Sequence, residues 1–201
     1  MKYIIYRAYG SVFIRTNHKQ KFASRFQGVC FILCIGNAGY FLVKEGWRKS
    51  MEDAVIHELD IGDGNALFAV FDGHGGRIWS SLGSEVSQYV AKIFVDLLKG
   101  CQQYKNKDYK GALDQTFKKV DEVLKSEEGA KNLYAIRFTP NGGQGNYNDA
   151  KIANGSGCTA NVLLITPDKY YVANIGDSRS SLSRAGKALD LSEDHKPENP
   201  I

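Results

Sequence analysis

Hydrophobic positions follow two different periods along this chain. Apolar runs and alternating apolar positions predict β-strands at 54–59, 66–71, 159–166, 170–175 and 180–184. Between them, apolar residues recur every three or four positions and predict two helices, at 77–98 and from Leu113 to near Gly129. Strands, two long helices and more strands predict an α+β domain with packed layers rather than repeated βαβ units.

Turn-forming residues divide the chain further. Gly62-Asp63-Gly64-Asn65 predicts a tight turn between the first two strands, and 139–157, rich in Gly and Asn, predicts a long loop. Tyr40–Val43 is interpreted as a strand. We therefore predict two regions: a basic N-terminal extension of uncertain order at 1–39, and a domain at 40–201.

Charge is unevenly distributed along the chain, whose formal net charge is +4. Residues 1–44 contain seven Lys or Arg and no acid, whereas the remainder is mildly acidic. A nucleic-acid-binding protein would carry its basic patch on the folded body, so we predict no nucleic-acid partner. The apolar run 28–43 is shorter than the ~20 residues that span a bilayer. Membrane association through the N-terminal arm is thus the weaker alternative.

The four cysteines do not form paired C-x-x-C motifs, which argues against structural zinc. Their number and spacing suit a reducing compartment. We expect a cytoplasmic protein, with the nucleus as the alternative.

The segment 68–76, Phe-Ala-Val-Phe-Asp-Gly-His-Gly-Gly, carries the most distinctive chemistry. Its apolar residues predict a buried strand that ends at Asp72 and leads into a glycine-rich turn. Glycine lets a ligand approach bare backbone, and His74 can exchange protons near neutral pH. This combination suits a divalent cation with acid–base chemistry beside it. On these residues alone, an ordinary strand followed by an Asp-Gly turn is an equal alternative.

Other candidate residues lie in separate motifs. Arg48 could bind phosphate oxygens in bidentate fashion and Glu52 could ligate a cation, although on spacing alone an exposed i,i+4 charge pair is the commoner arrangement. Gly176-Asp177-Ser178-Arg179 joins two predicted strands and offers a second strand-end carboxylate. Gly155-Ser156-Gly157 lacks the G-x-S-x-G spacing of a nucleophilic serine, and the glycines near His74 do not form a nucleotide-binding loop.

Taken together, the motifs resemble the metal-dependent protein phosphatases, the type 2C serine/threonine phosphatases. The resemblance covers about 40–201. It depends on five motifs in the family's order and separation: 48–53, 68–76, 155–160, 176–179 and Asp194-His195-Lys196-Pro197. The resemblance implies an αββα sandwich, in which two antiparallel sheets pack face to face between helix pairs.

The resemblance also implies roles for individual residues. Asp72 would bridge two Mn²⁺ or Mg²⁺ ions, and the Gly73 carbonyl would join their ligands. Glu52 and Asp53 would support the metals from the neighbouring strand, and Asp177 would serve a further, weaker ion. Arg48 would hold the substrate phosphate. His74 would protonate the leaving seryl or threonyl oxygen.

The implied activity is hydrolysis of phosphoserine and phosphothreonine in proteins by a metal-bridging hydroxide. The alternative is a non-catalytic relative that binds phosphoproteins or metal. The family's domain continues beyond Pro197 and carries two more metal-binding aspartates there, so we expect a C-terminally truncated domain that is weak or inactive alone. Phosphorylated proteins are the expected partners, and a monomer is expected.

Overall fold

The computed structural model describes residues 2–7, 11–15, 30–34, 38–42, 51–75, 83–138, 156–184 and 187–198. Within them the strands are β1 (Lys2–Arg7), β2 (Ser11–Arg15), β3 (Cys30–Cys34), β4 (Ala38–Leu42), β5 (Asp53–Glu58), β6 (Ala66–Gly75), β7 (Ser156–Cys158), β8 (Ala160–Ile165), β9 (Lys169–Ile175), β10 (Arg179–Arg184) and β11 (Lys187–Asp190). The helices are α1 (Gly83–Gly100), α2 (Gln102–Lys105), α3 (Tyr109–Lys125) and α4 (Glu127–Phe138). The mixed composition confirms the predicted α+β class.

The strands form two antiparallel sheets. The first has the order β1-β9-β8-β6-β5, with the short strand β7 pairing with the end of β6. The second has the order β11-β10-β2-β3-β4. The five strands predicted between 54 and 184 are all present, with ends that differ from prediction by one residue at most places.

The first sheet buries both of its faces. On β6, Leu67, Ala69 and Phe71 pack into a cluster with the helices, whereas Phe68 and Val70 pack into a second cluster with Leu182 and Leu191. This alternation follows from the two-residue period of a strand. Since Leu182 belongs to β10, the second cluster lies between the two sheets. A continuous apolar run such as 66–71 is what a strand buried on both faces requires.

The helices cover one face of the first sheet. The apolar stripe of α1 is buried at Val86, Val90, Phe94 and Leu98, and the Phe94 ring lies between those of Phe71 and Phe117, with centroids 5.6 Å from each. These contacts hold α1 on β6, where the candidate site residues lie, and hold α3 against α1. None of the described helices is long and apolar enough to cross a membrane.

Two predictions about where strands begin and end were wrong. The strand predicted to turn at Asp72 continues to Gly75, because Ser156–Cys158 provides a pairing partner for Gly73, His74 and Gly75. For the same reason 156–157, predicted as part of a long loop, form a strand. The rest of that predicted loop lies outside the described residues, as do Ile78 and Leu82 of the first helix.

The second predicted helix also ends earlier than expected. It stops at Lys125, and a further helix, α4, begins at Glu127. The Ser126 hydroxyl accepts the Gly129 N–H at 3.0 Å, which caps the new helix. A Cβ on Gly129 would lie 2.0 Å from the Val123 carbonyl oxygen, so this glycine permits the close approach of the two helix ends rather than ending the first helix.

The N-terminal region contributes strands to both sheets. β1 pairs with β9 from Lys2↔Asn174 to Arg7↔Lys169, and β2 pairs with β10 from Ser11↔Ser183 to Arg15↔Arg179. The extension predicted at 1–39 therefore includes backbone that pairs with the domain.

Candidate active site

Asp72 is held in the last part of β6, where its carboxylate is buried and the residue is only 3% exposed. Its partner across the antiparallel ladder is Asp53 of β5. Residues directly opposite each other in such a ladder project to the same face, so these two carboxyl groups are neighbours. The register thus brings together two residues that were predicted to serve the metals.

Gly73 follows in a position that leaves no space for a side chain. A Cβ on Gly73 would lie 2.1 Å from the Gly83 carbonyl oxygen at the start of α1, and 2.8 Å from the Glu52 carbonyl oxygen. The Gly73 N–H donates to that Glu52 oxygen at 3.1 Å, and the Ser87 hydroxyl donates to it at 2.6 Å. The segment before β5, the last part of β6 and the first turns of α1 therefore meet at very short distances.

His74 lies on the surface next to this contact. It is exposed and pairs with Gly157 of β7. A Cβ on Gly157 would lie 3.0 Å from the imidazole Cε1, so the ring occupies space that only a glycine leaves open. The two-residue period of the strand puts Asp72 and His74 on the same face. An exposed imidazole beside a buried carboxylate can exchange protons with solvent and with a bound substrate.

Thr159 connects Asp72 to the turn that contains Asp177. The Thr159 N–H donates to the Asp72 carbonyl at 2.8 Å, and the Asp72 N–H donates to the Thr159 hydroxyl at 3.1 Å. The same hydroxyl lies 2.8 Å from that of Ser178. Gly176 has φ +108°, and a Cβ there would lie 2.6 Å from the Thr159 methyl group. Both neighbours of Asp177 in the chain are therefore packed against the residue that holds Asp72.

The carboxylates at this end of the molecule are the type of ligand that divalent cations prefer. Glu52, Asp53, Asp72 and Asp177 supply hard oxygen donors, which Mg²⁺ and Mn²⁺ prefer. Within the described ranges, however, no three His, Cys, Asp or Glu side chains are close enough together to hold an ion. Asp72 and Asp53 are paired by register, and Asp177 is linked to Asp72 through Thr159.

Cys158 lies opposite Gly73 in the β6–β7 ladder, and its side chain packs against the cluster under the helices. Burial, together with the charges of Asp72 and Asp121, raises the pKa of its thiol to about 12. The thiol is consequently protonated near neutral pH and is a poor nucleophile. Arg48, predicted to bind phosphate, lies outside the described residues.

Sequence reasoning missed the polar residues that support the site. Asn161 and Asn174 are register partners on β8 and β9 and are both buried, with the Asn161 amide donating to the Asn174 side-chain oxygen at 2.8 Å. Asn161 also donates to Ser192 at 3.1 Å and accepts from Ser180. The sequence did offer one signal: Asn161 is a polar residue inside the otherwise apolar strand β8. A buried amide needs hydrogen-bond partners, so this position predicts polar neighbours.

The chain matches known proteins over most of its length. The family model described as Protein phosphatase 2C matches residues 41–201. Two proteins from Paramecium tetraurelia, Probable protein phosphatase 2C 3 and Protein phosphatase 2C 1, are each 46% identical to it, over 77% and 78% of this chain. Only 46% of each relative is covered, so the chain spans about half the length of these curated relatives.

The fold also resembles a solved structure. A crystal structure of a bacterial serine phosphatase with a point mutation has a TM-score of 0.52 and 20% sequence identity to this chain. The match covers 75% of this chain and 58% of the other. At this level of identity the comparison shows similarity of fold.

Proposed function

Because the chain belongs to the protein phosphatase 2C family, we propose that it forms part of a metal-dependent protein serine/threonine phosphatase. The observation that carries the proposal is the buried carboxylate of Asp72, paired with Asp53 and followed by the backbone-only contact at Gly73. This arrangement offers fixed oxygen ligands at one end of a rigid sheet.

The proposed metal ligands are Asp72 and the Gly73 carbonyl, supported by Glu52 and Asp53. Asp177 would bind a further, weaker ion. Two bound Mn²⁺ or Mg²⁺ ions would activate water for attack at phosphorus and would neutralise charge on the phosphate ester. The protein's part is to fix these donors: Asp72 is anchored by Thr159, and Gly73 by the Glu52 carbonyl.

Two further residues would act on the substrate. Arg48 would hold the phosphate through its planar guanidinium, which matches phosphate oxygens in bidentate fashion. His74 would donate a proton to the leaving seryl or threonyl oxygen, because an alkoxide is a poor leaving group without one. The exposure of His74 next to the buried Asp72 supports this division of roles.

The alternative function is a non-catalytic relative that binds phosphoproteins or metal. Its phosphoprotein-binding form would need no assembled metal site, and among the described residues no three metal-binding side chains are grouped. Phosphorylated proteins are the proposed partners in either case. We further propose a monomer in the cytoplasm or nucleus, with 40–201 as the phosphatase portion and 1–39 as a basic N-terminal extension whose strands β1 and β2 pair with it.

The two functions can be separated with a phosphoserine peptide and an extended chain, in which the 201 residues are joined to the C-terminal remainder of Protein phosphatase 2C 1. We expect this extended chain to release phosphate from the peptide when Mn²⁺ is present. Release should extend to phosphothreonine. Saturable peptide binding without phosphate release in Mn²⁺ would instead identify the binding protein.

A further inference from the structure

The turn that contains Asp177 is covered by residues 191–196, which we call the 191–196 loop. Asp177 is half-buried, and its carboxylate makes no hydrogen bond or ion pair with any described residue. The residues on both sides of it, Gly176 and Ser178, are bonded to other parts of the protein. The Asp177 carboxylate is therefore held on a fixed turn and is accessible to an ion from solvent.

The 191–196 loop attaches directly to this turn. The Gly176 carbonyl accepts the His195 N–H at 2.8 Å and the Asn174 side-chain amide at 3.0 Å. The same Asn174 amide nitrogen donates to the Glu193 carbonyl at 2.9 Å. One side chain therefore ties the turn and the loop together, and it uses both of its N–H groups to do so.

Asn174 is itself held in a fixed orientation. It is 1% exposed, and its side-chain oxygen accepts the amide of Asn161 at 2.8 Å. Asn161 donates further to the Ser178 carbonyl at 3.3 Å. Because every polar atom of the Asn174 amide has a partner, the amide cannot rotate without leaving buried groups unsatisfied.

Asp194 anchors the loop at the other side of the turn. Its side chain is 2% exposed and accepts the Arg179 Nε–H at 2.8 Å, and the Lys196 ammonium donates to its other oxygen. The hydrogen bond to Asp194 raises the pKa of Arg179. Arg179 follows Ser178 directly, so this ion pair fixes the chain on the far side of Asp177. Removing one partner of a buried ion pair leaves an uncompensated charge and disrupts the local structure.

We propose that Asn174 and Asp194 are positioning residues that hold the Gly176–Ser178 turn so that Asp177 can bind a divalent cation. The inference depends on the proposed function, since it assigns a metal to Asp177. Outer residues that orient a metal ligand typically contribute about 10–100-fold to metal affinity. We therefore expect the 191–196 loop to affect metal binding without touching the metal.

The test is a titration of the full chain with Mn²⁺ into the millimolar range. At each step, electron paramagnetic resonance measures the concentration of free Mn²⁺. Asp177→Asn should remove a weak site. Asp194→Asn and Asn174→Ala should each weaken that site about 10–100-fold. The double variant Asp177→Asn/Asp194→Asn should bind no worse than Asp177→Asn, because both changes act on one site. Asp168→Asn, in the exposed β8–β9 turn, is the control and should change nothing.

Hydrogen exchange of the unaltered chain gives a second readout that does not depend on a variant folding. Mn²⁺ should slow exchange of the amides of 176–178 and 193–195 together, because the two segments are bonded to each other. Slowing confined to 176–178, or unchanged Mn²⁺ affinity in both Asp194→Asn and Asn174→Ala, would overturn the inference.

The variant Asp72→Asn distinguishes failure of the proposed function from failure of the inference about Asn174 and Asp194. If that change removes Mn²⁺ binding while the Asp177, Asn174 and Asp194 variants bind normally, the inference fails and the proposed function stands. If the unaltered chain binds no Mn²⁺ at any concentration, the inference and the metal assignment both fail.

Discussion

Asp72 combines two properties that rarely occur together in one residue. The residue is only 3% exposed, and it lies opposite a second acidic residue, Asp53, in the β5–β6 ladder. A divalent cation would neutralise such a pair of carboxylates. The hydrogen bonds to Thr159 hold the Asp72 backbone in place for such a ligand.

His74 should affect the chemical step more than substrate binding. In the extended chain, His74→Ala is expected to lower kcat for phosphoserine peptides and leave KM nearly unchanged, because a proton donor to the leaving oxygen acts in the transition state. Aryl phosphates, whose leaving groups need no proton, should be affected least. Steady-state kinetics on both substrates measures this, and equal losses on the two would exclude His74 as the general acid.

Cys158 should be unreactive while the protein is folded. With its pKa raised to about 12 by burial, the thiolate fraction at pH 8 is far below that of an unperturbed cysteine, whose pKa is about 8.5. The rate of alkylation by iodoacetamide should keep rising with pH beyond pH 9, whereas the rate in urea should level off. Peptide mass spectrometry resolves Cys158 from the other cysteines, and a folded-state plateau near pH 8.5 would contradict the burial.

At the level of secondary structure, the site depends on how closely α1 approaches β6. Gly73 and Gly83 are in backbone contact, so neither position accepts a side chain without displacement of the helix. The same contact brings Ser87 to the Glu52 carbonyl. A shift of α1 would therefore also shift the backbone at Gly73, which is a proposed metal ligand.

Gly73→Ala should destabilise the domain by about 1–3 kcal/mol or more, because the new methyl group would overlap the Gly83 carbonyl. Gly100→Ala is the control: a Cβ at Gly100, the last residue of α1, meets nothing within 4 Å. That change should be neutral or stabilising by up to about 1 kcal/mol. Urea unfolding followed by circular dichroism compares the two, and equal effects would show that the contact has no energetic role.

Individual elements show what the sequence could predict and what it could not. The run 66–71 and the stripe Val86-Val90-Phe94 were predictable because local periodicity alone specifies them. The extension of β6 to Gly75 was not, since the residues that it pairs with in β7 lie 81 to 85 positions later in the sequence. The bonds from Asn161 to Asn174 and Ser192 likewise depend on register between distant segments. The start of α4, in contrast, was predictable from the sequence. Ser126 is a typical N-cap residue, and the acidic Glu127 and Glu128 follow it in the first turn.

On the scale of the whole molecule, the N-terminal strands lie beside the phosphatase portion without supplying any candidate ligand. β1 covers the edge of β9, and β2 pairs with β10. An uncovered strand edge offers unpaired N–H and C=O groups to other chains. The arm's contribution is thus expected in solubility and stability rather than in chemistry.

Deleting 1–39 from the extended chain should leave the rate per folded molecule and its Mn²⁺ dependence unchanged, while increasing self-association through the exposed edge of β9. Size-exclusion chromatography with light scattering measures association, and phosphate release measures activity. Lost turnover in a deletion variant that remains folded and monomeric would show that the arm belongs to the active site.

The proposed function requires that Asp72 holds the metal needed for phosphate-ester hydrolysis. It is tested most directly by phosphate release from a phosphothreonine peptide by the extended chain, measured against Mn²⁺ concentration for the unaltered sequence, Asp72→Asn and the control Asp168→Asn. We predict that turnover requires Mn²⁺, disappears in EDTA, is normal in Asp168→Asn and falls to background in Asp72→Asn. Undiminished turnover in EDTA, or by Asp72→Asn, would contradict the account.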